Sequence, residues 1–204
     1  MRIAVINEFS ARDKNGQIMQ ALQAAGMQAH SIGMDESSGE PELTYVHTGL
    51  MAGLALYTKA ADFVVGGCGT GQGFTISAMQ YPGVFCGLIT SPLDAWLFSQ
   101  INGGNCVSLA LNKGYGWAGD INLRYIFEKL FCDPAGQGYP PQRRESQEKS
   151  RGALAAISKS AHADMPELLK SIDPAIVNAV TGHQPFLKFI QTYGDEKLYE
   201  ATQT

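Results

Sequence analysis

The apolar run RIAVI (2–6) stops at the polar Asn7 and Glu8. Apolar residues then return at helical spacing, Ile18, Leu22 and Ala25, before Gly26 supplies a stop. This is the pattern of a strand followed by a helix, and it recurs down the chain. The short runs 28–33 (QAHSIG), 61–67 (ADFVVGG), 84–89 (VFCGLI) and 106–111 (CVSLAL) read as further strands. Helical patterning appears at 43–59 (LTYVHTGLMAGLALYTK), in a short segment opening after Gly73, at 91–101 (SPLDAWLFSQI) and at 118–131 (AGDINLRYIFEKLF). Ser91 serves there as an N-cap ahead of Pro92.

Strands alternating with helices make βαβ units. The expected fold is a Rossmann-like α/β protein, a three-layer α/β/α sandwich around a five-stranded parallel sheet. Ligands of such sheets bind beyond the carboxyl ends of the strands. The loops NEFS (7–10), GGCGTGQG (66–73) and NKGYG (112–116) are therefore expected on one functional edge.

Beyond GQGYPPQRRE (136–145) the texture changes to charged and helical, with Pro166, Pro174 and Pro185 dividing it into short helices. Nearly all the excess of acidic over basic side chains lies before this point. The expected division is an α/β domain over 1–141 and a helical C-terminal extension over 142–204, one buried core with an appendage for a chain of 204 residues.

Charge and composition then remove whole classes of function. The net charge is −4, and the basic residues of the first part (Arg2, Arg12, Lys14, Lys59, Lys113, Arg124, Lys129) are scattered, so no stripe for nucleic acid is expected. No apolar run approaches the roughly 18 residues of a membrane span. The apolar stretch at the N-terminus is too short for a secretory signal, which implies a soluble, cytoplasmic protein. The four cysteines form no C-x-x-C pair and the four histidines show no ligand spacing, so no metal and no cofactor is expected. Cys86 and Cys106 lie in apolar stretches and read as buried small hydrophobes.

Cys68 is different, because five of the eight residues of GGCGTGQG around it are glycine. The dinucleotide fingerprint does not fit: Gly69, Gly71 and Gly73 follow a G-x-G-x-G spacing, and the next strand, where an acidic residue would be needed, reads FCGLITS with no carboxylate. The Walker pattern lacks its G-K-[ST]. What remains is either a tight turn or a nest of N–H groups holding an oxyanion. The positive end of a helix dipole favours the thiolate of a cysteine placed just ahead of it, the form that acts as a base. With the N–H groups of Gly69, Thr70, Gly71 and Gly73 converging on one oxygen, base and oxyanion cradle together suit proton abstraction beside a carbonyl.

The stretch GCGTGQGFTISAMQYPGVFCGLITSPLDAWLFSQINGGN resembles the ribose-5-phosphate isomerase B and galactose-6-phosphate isomerase family, whose hallmark is a strand followed by C-G-T-G-x-G, and the similarity runs from Arg2 to about Arg143. The resemblance implies an α/β/α homodimer with shared active sites that isomerises aldoses and ketoses through an enediol without metal. It implies that Cys68 shuttles the proton while Thr70 and the glycine loop (Gly69, Gly71, Gly73) hold the enediolate. It also assigns Glu8, Tyr45, His47, Asn102 and Arg143 to substrate binding. The chain departs from the family pattern at Ile101, where the family has the histidine that opens the sugar ring, and at Phe9, Tyr139 and Pro140, where it has a histidine, an arginine and a histidine that help hold phosphate. These departures imply a small-molecule substrate with an open-chain carbonyl and a carboxylate end, as in the deoxy-hexosulose-uronate ketol-isomerases that resemble the family. Two alternatives stand beside this: a phosphosugar isomerase with a rebuilt phosphate site, in which Lys113 or Arg124 supplies charge, and a non-catalytic sugar-binding homologue.

Overall fold

The computed structural model describes residues 1–202; the expected extension runs on to residues 203 and 204, which lie outside the described residues. The strands are β1 (Ile3–Asn7), β2 (Ala29–Ser31), β3 (Phe63–Cys68), β4 (Cys86–Ile89) and β5 (Cys106–Ala110). They form one five-stranded, all-parallel sheet in the order β2-β1-β3-β5-β4. The helices α1 (Asn15–Ala24), α2 (Tyr45–Tyr57), α3 (Gln72–Ala78), α4 (Pro92–Leu97) and α5 (Gly119–Phe131) flank it, giving the expected sandwich.

Period-two alternation sorts the strand side chains onto two apolar faces. Ile3, Val5, Val65, Val107 and Leu109 pack under α1 and α5. Ala4, Ile6 and Val64 pack under α2 and α3. Gly66 is required on that second face, because a Cβ there would lie 2.0 Å from the Phe74 ring.

Helix α2 is buried along most of its length rather than on one stripe. Its second cover comes from the C-terminal helices that follow α6 (Arg144–Ala161), namely α7 (Met165–Ser171), α8 (Pro174–Gly182), α9 (Gln184–Tyr193) and α10 (Glu196–Ala201). Met165, Val180, Phe186, Phe189 and Ile190 join Leu50 and Leu54 of α2 in one cluster. Helices α7, α8 and α9 each begin with a proline in the first turn, Pro166, Pro174 and Pro185, where a missing N–H costs nothing. Helix α6 instead leaves Leu154 and Ile157 exposed. Among the described residues no helix is long and apolar enough to cross a membrane.

Two boundaries differ from the sequence expectation. Cys68 is the last residue of β3 rather than a loop residue, since pairing continues to Cys68 opposite Ala110 and Leu111 N–H donates to the Cys68 carbonyl at 3.0 Å. Helix α3 opens at Gln72, before Gly73, because Gly71 takes the left-handed conformation (φ 75°) as its N-cap.

Candidate active site

Strand order reverses between β1 and β3, so the crevice of this sheet lies at their carboxyl ends. Asn7 sits opposite Gly67 there, which places Glu8 beside Cys68. The three loops expected on this edge are stapled together. Asn112 N–H and Lys113 N–H donate to the Gly69 carbonyl at 3.0 and 2.8 Å, and Asn112 Nδ2 donates to the Ser10 carbonyl at 2.9 Å. The buried Ser108 hydroxyl donates to the Gly71 carbonyl at 2.6 Å and locks the cradle to β5. Ser10, Ser108 and Asn112 were not singled out by sequence. The loops of Ser10 and Asn112 and the strand of Ser108 were, but a hydroxyl or amide gains such a role only once the strands are side by side.

Cys68 is buried and lies under the turn that follows it. Gly71 N–H points at its Sγ from 3.1 Å, and the Thr70 hydroxyl lies 4.0 Å away. Thr70 Oγ1 also accepts from Gln72 N–H at 3.3 Å, tying it to the start of α3. Among the described residues, the N–H groups of Gly69 and Thr70 donate to no protein atom. Gly71 cannot carry a side chain here: besides its positive φ, a Cβ would lie 2.4 Å from Leu88 Cδ1. The Tyr45 ring abuts the same turn, 2.9 Å from the position a Gly73 Cβ would take.

The carboxylate of Glu8 is buried, accepts a hydrogen bond from the Ser10 hydroxyl, and has no basic partner among the described residues. Next to Thr70 a cavity of about 250 Å³ opens between β4, β5 and α5, with Lys113, Tyr115, Thr90 and Asn122 on its wall. Burial pushes the Tyr115 phenol up to about 12, so it stays protonated and donates to Gln17.

His47 lies two residues after Tyr45 in the first turn of α2, but its Nδ1 is engaged as a cap, accepting from Thr44 N–H at 3.0 Å. Desolvation holds its imidazole below the ordinary 6.5. The folded chain therefore resists protonation that the unfolded chain accepts, and stability is expected to fall as pH drops below about 6.5. Melting temperatures measured across pH 5 to 8 should show a downward slope on the acid side that His47→Gln, with an acceptor that does not titrate, reduces. Equal slopes in the two proteins would remove His47 from the effect.

Asn102 and Arg143 are not brought to this pocket within one chain. Asn102 ends the π-turn Phe98–Asn102 that precedes β5, at the opposite edge of a sheet whose β5 alone spans about 15 Å at roughly 3.3 Å per residue. Arg143 is exposed in the 3-10 turn Pro141–Arg143. The segment around it clasps the π-turn: Gly136 N–H donates to the Ser99 carbonyl at 2.8 Å, Gly138 N–H to the Gln100 carbonyl at 2.9 Å, and Arg151 Nη1 to the Ile101 carbonyl at 3.0 Å. Tyr139 meets Trp96 edge-on with ring centroids 5.2 Å apart.

Cys106 is fully buried, and burial, reinforced by a hydrogen bond with Cys86, raises its thiol well above the usual range. Cys132 is exposed, its thiol raised by desolvation and by Asp133. Among the described residues, no group of three His, Cys, Asp or Glu is placed to hold a metal ion.

The Ribose/Galactose Isomerase family model matches residues 3–128. A solved ribose-5-phosphate isomerase from Vibrio parahaemolyticus is 40% identical over 100% of this chain and 98% of its own, with a TM-score of 0.94. A 4-deoxy-L-threo-5-hexosulose-uronate ketol-isomerase, solved in complex with a tartrate, is 38% identical over 98% of this chain and 96% of its own, also with a TM-score of 0.94. The ribose-5-phosphate isomerase B of Clostridium thermocellum shares the fold at 21% identity and a TM-score of 0.64, covering 79% of this chain and 99% of its own. No curated protein matches the chain. A glycine cradle closing on a strand-end thiol, the family match over most of the α/β sandwich, and two sugar isomerases alike from end to end together place this chain in the ribose/galactose isomerase family, as a sugar isomerase.

Proposed function

We propose that the chain is a metal-independent ketol-isomerase acting on an open-chain keto-uronate through an enediol, as a cytoplasmic homodimer with shared active sites. The observation that carries this reading is the setting of Cys68: a thiol at the carboxyl end of a central strand, with one N–H aimed at its sulfur and the free N–H groups of Gly69 and Thr70 beside it. Cys68 as thiolate takes the proton from the carbon that bears a hydroxyl next to the carbonyl. The carbonyl oxygen gains the charge and is held by the free N–H groups and the Thr70 hydroxyl. A hydroxyl proton passes between the two oxygens, and Cys68 returns its proton to the former carbonyl carbon, so aldose and ketose interconvert with no net oxidation. Glu8, buried with only a serine hydroxyl as partner, accepts a hydroxyl of the bound sugar, which supplies the polar contacts a desolvated carboxylate requires.

In this reading Asn102 and Arg143 act in the pocket of the partner subunit. Their placement at the far edge of the sheet, clasped into one unit, supports it. The exposed Leu154 and Ile157 of α6 offer an apolar face for the same contact.

Incubation with candidate sugars in deuterated water tests the reaction class, because an enediol enzyme exchanges the carbon-bound proton and a sugar-binding homologue does not. Thr70→Ala should lower turnover by about 10- to 100-fold, the scale of one hydrogen bond to a developing oxyanion. An unchanged rate would place Thr70 outside the reaction. The likeness to the Vibrio ribose-5-phosphate isomerase keeps a phosphosugar as the second reading of the substrate.

A further inference from the structure

The turn that leaves β1 carries a cation that the mechanism above does not use. The Arg12 guanidinium sits over the Phe9 ring, 3.7 Å from its centroid, and Nη1 donates to the Phe9 carbonyl at 3.1 Å. These two contacts fix the fork and leave its other donors unused. Arg12 forms no ion pair among the described residues, although Asp13 and Glu36 line the same hollow; Asp13 is paired with Lys14.

That hollow, about 390 Å³, is walled by Phe9, Ser10, Arg12 and Asn112 besides the two carboxylates. Its inner wall is shared with the Cys68 cradle. Asn112 bridges to the Ser10 carbonyl, and a Cβ on Gly69 would lie 3.3 Å from Asn112 Nδ2 and 3.6 Å from Ser10 Oγ. A ligand whose reacting carbons lie over the cradle therefore has a prepared cation on the β1 side. One guanidinium fork matches the two oxygens of a carboxylate. The carboxylates of Asp13 and Glu36 on the rim oppose a phosphate, with two charges on one group, more strongly than a single carboxylate group.

We propose that Arg12, seated on Phe9, is the in-chain binding group for the carboxylate of an acidic open-chain sugar, a role that rests on the ketol-isomerase reading of the Cys68 site. Arg12 binds and orients the substrate, and the proton transfer belongs to Cys68. Phe9 is a positioning residue that acts through Arg12.

The test uses full-length protein, tartrate as a non-reacting carboxylate probe in calorimetry, and 4-deoxy-L-threo-5-hexosulose uronate as substrate. Arg12→Ala is expected to weaken tartrate binding and raise KM by about 10- to 100-fold while kcat stays within about threefold. Arg12→Lys should recover part of the loss. Phe9→Leu, which keeps the charge and removes the platform, should shift KM in the same direction by less. Unchanged KM and tartrate affinity in Arg12→Ala overturn the proposal. So does a loss confined to kcat, or one that tracks a lowered melting temperature, and so does a wild-type protein that binds no tartrate. If the wild type exchanges deuterium into no sugar yet binds tartrate in an Arg12-dependent way, the anion site stands and the isomerase reading of the substrate fails. If exchange persists with unchanged KM in Arg12→Ala, the isomerase reading stands and the anion site at Arg12 is overturned.

Discussion

Replacing Cys68 by alanine is expected to lower isomerisation, and with it deuterium exchange at the reacting carbon, by about 10²- to 10⁴-fold, the usual loss when a positioned general base is removed. No other titratable side chain lies within the glycine cradle. The nearest carboxylate, Glu8, is engaged with Ser10, and the His47 Nδ1 is engaged with the Thr44 N–H. Read from sequence, Cys68 is a loop-edge thiol whose removal leaves packing almost unchanged. The structure alters that expectation, because Cys68 is part of the apolar cluster with Phe74 and Val64, and truncating it leaves a small void costing about 1 kcal/mol. Cys68→Ser fills the void but offers a far weaker base, so it separates the two effects. It should melt nearer to wild type than Cys68→Ala and be similarly inactive. Either variant turning over at a near-wild-type rate removes Cys68 from the mechanism.

Five strands, the helices between them and the edge where the three loops meet were legible in the sequence, because period-two and period-3.6 patterning is a local property of each segment. The order β2-β1-β3-β5-β4 was not legible, since an apolar run of four to six residues carries no record of its neighbour. The same limit explains the missed roles of Ser10, Ser108 and Asn112. Each is an ordinary polar residue until β1, β3 and β5 lie side by side, and only then does Asn112 tie the first loop to the third. Helix α2 held a clue to the C-terminal extension: LTYVHTGLMAGLALYTK is apolar nearly all round, as a helix covered on two sides must be. Here α3 supplies one cover and the C-terminal helices the other. Asn102 and Arg143 show the reverse case. Family likeness grouped them with Cys68, and one chain alone keeps them at the far edge.

The charged end of the substrate should separate this chain from phosphosugar isomerases. A phosphate dianion gathers several charge-assisted hydrogen bonds, each contributing about 1.5 to 3 kcal/mol. Three positions where the family resemblance expects such donors hold Phe9, Tyr139 and Pro140. Phe9 packs under Arg12, and Tyr139 packs edge-on against Trp96, so neither replaces a lost cation. A carboxylate needs less. Its two oxygens offer about four lone-pair directions, enough for one guanidinium from each subunit, Arg12 from the chain that carries Cys68 and Arg143 from its partner. Losing two or three charged hydrogen bonds should cost a phosphosugar at least about a hundredfold, so kcat/KM for 4-deoxy-L-threo-5-hexosulose uronate is expected to exceed that for ribose 5-phosphate or galactose 6-phosphate by that margin. Arg143→Ala should raise KM for the uronate. Because its defect would lie in the partner's pocket, mixing Arg143→Ala with Cys68→Ala subunits should restore one intact site per heterodimer and a measurable fraction of wild-type activity. A phosphosugar turned over with the higher kcat/KM would instead give the charged end to a rebuilt phosphate site, with Lys113 on the wall of the cavity beside Thr70 as its first cation. No recovery on mixing would place Arg143 outside a shared site.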